Sequence, residues 1–530
     1  MTVIDPKALS PDAHPVKPFE MLYANGQLQE FYALGLNEKE KALHLERPVN
    51  RLALSEALNS YAQKLKAPKS VFKTLESLSH PQSRTVVTGQ QVGLLLGPLF
   101  SLSKAVTAIK LAKAWHQEAN PVVAVFWLAS QDHDSAEIDH TYLLDLQENL
   151  HRLSWPLPAD TVSGRIALKE SWLHRLIQDI KELSSNPLHQ TEVIELLQDA
   201  FRSSENIADF FAYLLYQLLG SEGLIILNPL DPALAVLFKD VLIQELKNPS
   251  ASARAINDAA QRLKTYGFEA QLGRAEGASN LFIEEAGKRR LLRYEGKRFF
   301  SETKSYSLEE LLNILEEDPS LITPAAGLRP ICQDKLLPTA VTVVGPGELR
   351  YIAQLKGVYD HHQVAMPMIY PRMTVTVIEP PVKRIMEKYG LTIANISNLE
   401  KGKMALALEL SEHGEAFELG QQGVEEGLEQ MLNHIRHIDP TLERSVQKTQ
   451  KHLSSILNKL KDKSAHALYR QNDILNSQIA RLEQHLRPLN TPQERLVSPF
   501  SFFLKFGIKH MMTRLLSLSP EGHHLLYIDE

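Results

Sequence analysis

Arg84-Thr85-Val86-Val87-Thr88-Gly89-Gln90-Gln91-Val92-Gly93 is the stretch on which the fold turns. Its first half is a β-branched run of the kind that forms a buried strand. It empties into a glycine-rich turn, and after Gly97-Pro98 a helix-period segment follows, with Leu102, Val106, Ile109, Ala112 and Trp115 on its apolar face. Asn120-Pro121 ends that segment, and Val122 to Leu128 is a second buried-strand run. Strand, glycine loop, helix and strand in this order predict a βαβ unit, hence a parallel sheet with a right-handed crossover.

The same punctuation recurs outward from this unit. Gly223–Pro229 reads as a third strand before a helix over 232–246, and Ala340–Val344 as a fourth before Gly345-Pro346-Gly347-Glu348 and a helix from Leu349 to Tyr359. Met366–Tyr370 is a candidate fifth. The expected class is α/β: a discontinuous, doubly wound parallel-sheet core with two connecting insertions. The reading divides the chain into a helical lead-in and first βαβ over 1–154, a helical insertion over 155–220, core over 221–267, a β-rich insertion over 268–305, core again over 306–416, and a terminal segment over 488–530 that packs on the core. Between the last two, 417–487 carries Val424, Leu428, Met431, Ile435 and Ile438 at heptad spacing. The pattern resumes beyond Asp439-Pro440 and shifts phase at Leu475. A seam broken once by proline predicts an antiparallel coiled-coil hairpin, an arm suited to pairing with a second copy of the chain.

Composition narrows the function. Of 530 residues 44% are hydrophobic and 23% charged, and the formal net charge is −6. That balance argues against a nucleic-acid binder, which needs a broad basic field. No run approaches the ~20 apolar residues of a membrane span. The N-terminal MTVIDPKALSPDAHPVKPFE has neither the basic nor the apolar region of a signal peptide, so a cytoplasmic protein is expected. A single cysteine, Cys332, cannot form an intrachain disulfide or a thiolate-rich zinc site.

Three constellations could carry chemistry. The first is Thr88, Gly89, Gln90, Gln91 and Gly93 with Lys104 in the following helix. A glycine turn entering a helix presents backbone N–H groups to an anion, or else permits close packing; the spacing is that of neither a P-loop nor Gly-x-Gly-x-x-Gly. The second is Gln131, Asp132, His133 and Asp134, with Glu137, Asp139 and His140 behind them, just beyond the carboxyl end of a predicted strand, where open α/β sheets bind ligands. These residues suit a general base, a Mg²⁺ site at Asp132 and Asp134, or a grip on a substrate ammonium. The third is Gly345, Gly347, Glu348 and Tyr351, with Arg329 and Gln333 upstream and Arg372 downstream; arginines beside a glycine turn suit carboxylates or phosphates. Cys332 lacks any nucleophile signature and reads as a small buried hydrophobe.

Taken in order, several motifs resemble a known family. They are Thr88-Gly89-Gln90-Gln91-x-Gly93-x-x-x-Gly97-Pro98, Phe126-Trp127 with Asp132-His133-Asp134-x-x-Glu137, Asn280-Leu281-Phe282, and Leu328-Arg329-Pro330 with Gln333-Asp334. Gly345-Pro346-Gly347-Glu348-x-x-Tyr351-x-x-Gln354, Pro371-Arg372 and Pro492-Gln493-Glu494-Arg495 complete the set. Together they are similar to the bacillithiol biosynthesis cysteine-adding enzymes, the BshC family, from about residue 20 onward. Gln131 departs from the pattern, standing where an acidic residue is common. The resemblance implies a nucleotidyl-transferase-like Rossmann core and a coiled-coil arm that makes a homodimer. It also implies a ligase that adds L-cysteine to the amine of glucosaminyl-malate. A free carboxylate is a poor electrophile, so ATP is the expected activating cosubstrate, with Mg²⁺ as its companion. On that reading Arg329 or Arg372 would grip the malate carboxylates. Another ligase on the same fold, or a non-catalytic coiled-coil scaffold, is the alternative.

Overall fold

A computed structural model describes residues 18–528 apart from 185, 276, 393–398 and 412. Two compact units emerge: one holds the described residues up to 377 together with 493–526, the other 378–492 and the last two described residues. The segment expected as core over 306–416 is therefore divided at Val377, and its helices Pro380–Lys388 and Leu399–Glu409 belong to the second unit.

Strand β1 (Arg84–Gln90) is the centre of a five-stranded sheet in the first unit. On one side it pairs with β2 (Val122–Leu128), which pairs with β3 (Ile225–Leu227). On the other it pairs with β4 (Thr339–Val344), which pairs with β5 (Met368–Pro371). All four pairings are parallel, and the order β5-β4-β1-β2-β3 is doubly wound, reversing between β1 and β4. Helix α1 (Phe100–Trp115) is the crossover from β1 to β2. Every residue of β2 is buried, which is why this sheet reads as continuous apolar runs and not as alternation.

Gly89 lies within β1, not in a turn. A Cβ there would stand 2.7 Å from the Trp127 carbonyl oxygen on the neighbouring strand, so only glycine lets β1 and β2 approach. The chain turns later, through Leu95, Leu96 and Gly97, whose φ values are +49°, +64° and +63°. Two buried leucines in the left-handed region mark a strained bend held by its surroundings.

The insertions differ from each other as their sequences do. Helices α2 (Glu170–Leu183), α3 (Pro187–Arg202) and α4 (Ile207–Leu219) precede β3. Strands Ala278–Glu285, Lys288–Glu295, Arg298–Phe300 and Ser305–Tyr306 form an antiparallel meander, and Ile322–Pro324 pairs onto its first strand. This sheet therefore extends past the expected limit at 305, through a three-residue strand too short to show any periodicity. A further hairpin, His140–Leu144 with Leu150–Ser154, follows β2.

In the second unit α5 (Gly414–Ile438) and α6 (Glu443–Gln471) are joined by the single turn Pro440–Leu442, which makes them antiparallel neighbours. Arg436 and Glu443 pair at 2.7 Å across that turn. The phase shift seen in the sequence is a helix break: the Asn472 side chain accepts from Leu475 N and starts α7 (Asp473–Leu486). Leu475, Ile479, Leu482 and Leu486 are buried, so α7 is packed core of its unit, and the solvated arm ends at Gln471.

Candidate active site

Beyond the carboxyl ends of β1 and β4, where the strand order reverses, lies a cleft of about 750 Å³. Thr88 ties the two strands just before it, its Oγ1 donating to Val343 O at 3.0 Å. Gly89, Gln90, Gln91, Lys104, Arg329, Gln333, Gly345, Gly347, Glu348, Tyr351 and Arg372 line the cleft, as their motifs suggest. Thr88, Gly93, Asp132, His133 and Asp134 do not.

Three N–H groups of the glycine segments are bonded within the chain. Gly93 N donates to Gln91 O at 3.0 Å, Gly97 N to Leu94 O at 2.9 Å, and Gly345 N to the Glu348 carboxylate at 2.7 Å. Lys104 is neither solvated nor available to a phosphate. Its buried ammonium donates to Gly89 O at 2.8 Å and Gln90 Oε1 at 3.0 Å, and meets Glu348 Oε2 at 2.5 Å. Three donors have three acceptors, and the lysine joins the end of β1 to the turn after β4. Burial lowers its pKa against the opposing pull of Glu348.

Arg372 is also spoken for. Its two terminal nitrogens donate in parallel to Glu494, at 2.8 and 2.6 Å, so it cannot offer that fork to a substrate carboxylate. The cations left to the cleft are Arg329 and Arg495. Arg329 Nη2 bonds Asp132 Oδ2 at 3.2 Å, with part of its guanidinium exposed. Arg495 is exposed and has no carboxylate partner among the described residues.

Asp132 therefore acts behind the cleft wall. Gln91 Nε2 donates to it at 3.3 Å and the His133 N–H at 2.8 Å, while Arg289 approaches its other oxygen at 3.6 Å. Burial alone pushes this carboxyl up, yet the hydrogen bonds from His133 and the charges of Arg329 and Arg289 outweigh it and hold Asp132 far below the ordinary carboxylate range. A group so firmly ionised is a poor general base. His133 accepts from Arg289 at 3.1 Å through Nδ1, and Arg289 lies over the Phe282 ring at 3.8 Å. Asp134 caps the short helix after it, accepting from Ala136 N. Asp132 and Asp134 thus each spend at least one oxygen on a donor within the chain.

Other groups do face the cleft from this segment. The Glu137 carboxyl is pushed up by burial, against a hydrogen bond from Gln91 and with Asp134 and Asp132 adding to the rise. His140 Nδ1 stands 2.6 Å from Asp139 Oδ1, and Tyr142 presents its ring edge-on to the imidazole. On another side of the cleft, burial and then Glu348 push the Tyr351 phenol above its ordinary value, so it remains a hydrogen-bond donor. Behind Gln333, Tyr359 donates to the buried Asp334 carboxylate at 2.5 Å. Cys332 is fully buried in the helix Arg329–Leu336; burial, then the nearby Glu245 charge, drives its thiol pKa well up, which removes it as a nucleophile.

Residues 17–373 match the family model described as bacillithiol biosynthesis BshC, N-terminal Rossmann-like domain, and 375–528 match the BshC C-terminal coiled-coil domain. The chain belongs to the BshC family. Similar BshC proteins include one from Thermus thermophilus, 37% identical over 501 residues, covering 94% of this chain and 98% of its own. Another, from Salinibacter ruber, is 31% identical over 475 residues, covering 87% of this chain and 86% of its own. Both bear the name "Putative cysteine ligase BshC", and membership makes this chain a ligase. The solved arginyl-tRNA synthetase of Thermus thermophilus covers 84% of this chain and 86% of its own at 12% identity, but a TM-score of 0.17 carries no argument about fold or function.

Three residues that the motifs place beside the main clusters, Glu137, His140 and Arg495, also line the cleft of this BshC chain. Glu137 and His140 trail the Asp132-His133-Asp134 cluster and are brought to the cleft by the helical turn Ser135–Ile138 and the hairpin after it. Arg495 arrives from a segment more than a hundred residues beyond β5, and its place in the Pro-Gln-Glu-Arg motif is the one signal the sequence offers. Gln354, by contrast, has the look of a site residue and serves the scaffold: its side-chain oxygen accepts from Gln271 N and Leu272 N, both at 2.9 Å.

Proposed function

We propose that this chain joins the carboxyl group of L-cysteine to the amine of glucosaminyl-malate in bacillithiol biosynthesis, with ATP as the cosubstrate that activates the carboxyl. The naming of its relatives supports cysteine as a substrate. The observation that carries the reading is the cleft at the β1–β4 reversal, where Arg495 and the exposed part of Arg329 offer guanidinium donors. Such forks suit the carboxylates of a malate group or the phosphates of a nucleotide. ATP enters because a free carboxylate does not acylate an amine; the nucleotide supplies the leaving group. Arg329 and Arg495 are the residues to hold its phosphates, since the other cations of the cleft, Lys104 and Arg372, are paired within the chain.

Mass spectrometry of the purified protein with glucosaminyl-malate, cysteine and each nucleotide in turn tests this. A product heavier than glucosaminyl-malate by one cysteinyl group is expected with ATP, and the coproduct identifies the bond broken. No thiol product under any nucleotide would overturn the assignment.

We further propose that α5 and α6 pair with a second copy of the chain. Supporting this, Met431, Ile438, Ile456 and Leu460 remain exposed on a hairpin whose own two helices cover little of each other.

A further inference from the structure

We propose that His140 is the proton acceptor for the attacking amine, and that Asp139 is the positioning residue that sets its tautomer; this rests on the ligase reading above. Asp139 ends the helical turn Ser135–Ile138, its N–H bonded to Ser135 O, and its own carbonyl accepts from Trp155 N at 2.7 Å. His140 begins the strand that follows, in register with Ser154. Cap and hairpin together fix both side chains. A carboxylate only accepts, so the 2.6 Å contact places the imidazole proton on Nδ1 and leaves Nε2 with its lone pair. Nε2 has no hydrogen-bond partner among the described residues, and His140 lines the cleft.

The surroundings fit this role. Arg152, from the partner strand of the hairpin, lies 3.5 Å from the same Asp139 oxygen. Tyr142 packs edge-on against the ring at 5.3 Å. Glu137, Arg329 and Arg495 are the other charged groups that share this part of the cleft, with Lys104, Arg372 and Glu348 paired internally as described. Asp132, by contrast, stands behind the cleft wall, with Arg329 at 3.2 Å and Arg289 at 3.6 Å from its carboxylate.

The step balances simply. The amine nitrogen forms a bond to the activated cysteinyl carbon, the phosphate-bearing leaving group departs with its electron pair, and the proton lost from nitrogen goes to His140 Nε2. Base catalysis of this kind contributes about 10²–10⁴-fold.

Hydroxylamine separates this step from activation, because it is largely unprotonated at neutral pH and attacks activated carboxyls without a base. The full-length protein is assayed with cysteine and ATP, once with glucosaminyl-malate and once with hydroxylamine. His140→Ala and His140→Gln are expected to lose amide formation by about 10²-fold or more while forming cysteine hydroxamate at close to the wild-type rate. Added imidazole should restore amide formation to His140→Ala. Asp139→Asn should lower kcat for the amide with little change in KM and shift the pH–rate profile. Amide formation that survives in both His140 variants, or a parallel loss of amide and hydroxamate in both, overturns the proposal. Wild-type protein that makes amide but no hydroxamate also overturns it. Wild-type protein that makes neither product overturns the ligase reading itself, and this inference with it.

Discussion

Arg372 and Glu494 meet through two parallel hydrogen bonds in a pair buried almost completely, although 122 residues separate them in the chain. Glu494 also accepts from Val375 N at 3.0 Å. One carboxylate thus pins the returning segment beside the end of β5. Arg495, the next residue, reaches the cleft because Glu494 is held there.

Removing one half of a buried, bonded ion pair strands the other. Glu494→Ala is expected to cost about 3–5 kcal/mol in urea unfolding. Arg372→Met combined with Glu494→Leu should cost less than the two single changes added together, because neither charge is then left alone. A single variant with wild-type stability would mean that the pair does not hold the segment.

Arg495 itself has no structural duty to lose. Arg495→Ala should leave stability within about 0.5 kcal/mol of wild type and raise KM for an anionic substrate roughly 10–100-fold, the worth of a charge-assisted hydrogen bond. Steady-state kinetics with each substrate varied in turn will show which one carries the anion. Unchanged KM for all of them would remove Arg495 from the site.

Asp132 predicts a pH dependence with a definite sign. Its folded pKa lies below its unfolded value, so its stabilisation is complete above the ordinary carboxylate pKa of about 4 and is lost as pH falls below it. Wild type should therefore exceed Asp132→Asn by about 2 kcal/mol at neutral pH, and the gap should narrow on acidification below pH ~4. Because Asp132 orients Arg329, the same variant should raise KM more than it lowers kcat. A gap that persists unchanged into acid would contradict the ion-pair account.

The hairpin arm offers a test in mass. Met431→Glu together with Ile456→Glu should convert a dimer to a monomer in sedimentation equilibrium, with unfolding of the remainder unchanged. A wild-type monomer at micromolar concentration would dismiss the pairing.

The fold was legible where burial makes sequence monotonous. β1, β2 and β4 are apolar or β-branched runs with Gly or Pro in or beside them, and their order along the chain specifies the doubly wound class. The hairpin at 140–154 was not legible, because its strands are five residues each and carry His140, Thr141 and Tyr142, or His151 and Arg152, in place of an apolar run. Within the site, residue types were informative and their allegiances were not. Asp132, Lys104 and Arg372 were recognisable as chemistry-bearing residues, but whether a charge faces a ligand or another charge is decided by partners such as Arg289, Glu348 and Glu494. Those partners stand 157, 244 and 122 residues away in the chain, beyond the reach of any local pattern. Gly89 shows the same limit for the backbone: it answers to Trp127 across the sheet, not to its neighbours in sequence.

The seclusion of Cys332 bears on how such an enzyme coexists with its own product. Folded, the chain presents no sulfur nucleophile to solvent. A low-molecular-weight thiol, its disulfide or the oxidants it intercepts would find nothing to exchange with. Synthesis of a thiol by this protein would then continue through swings of redox state that silence enzymes with accessible cysteines, its rate following the supply of its substrates.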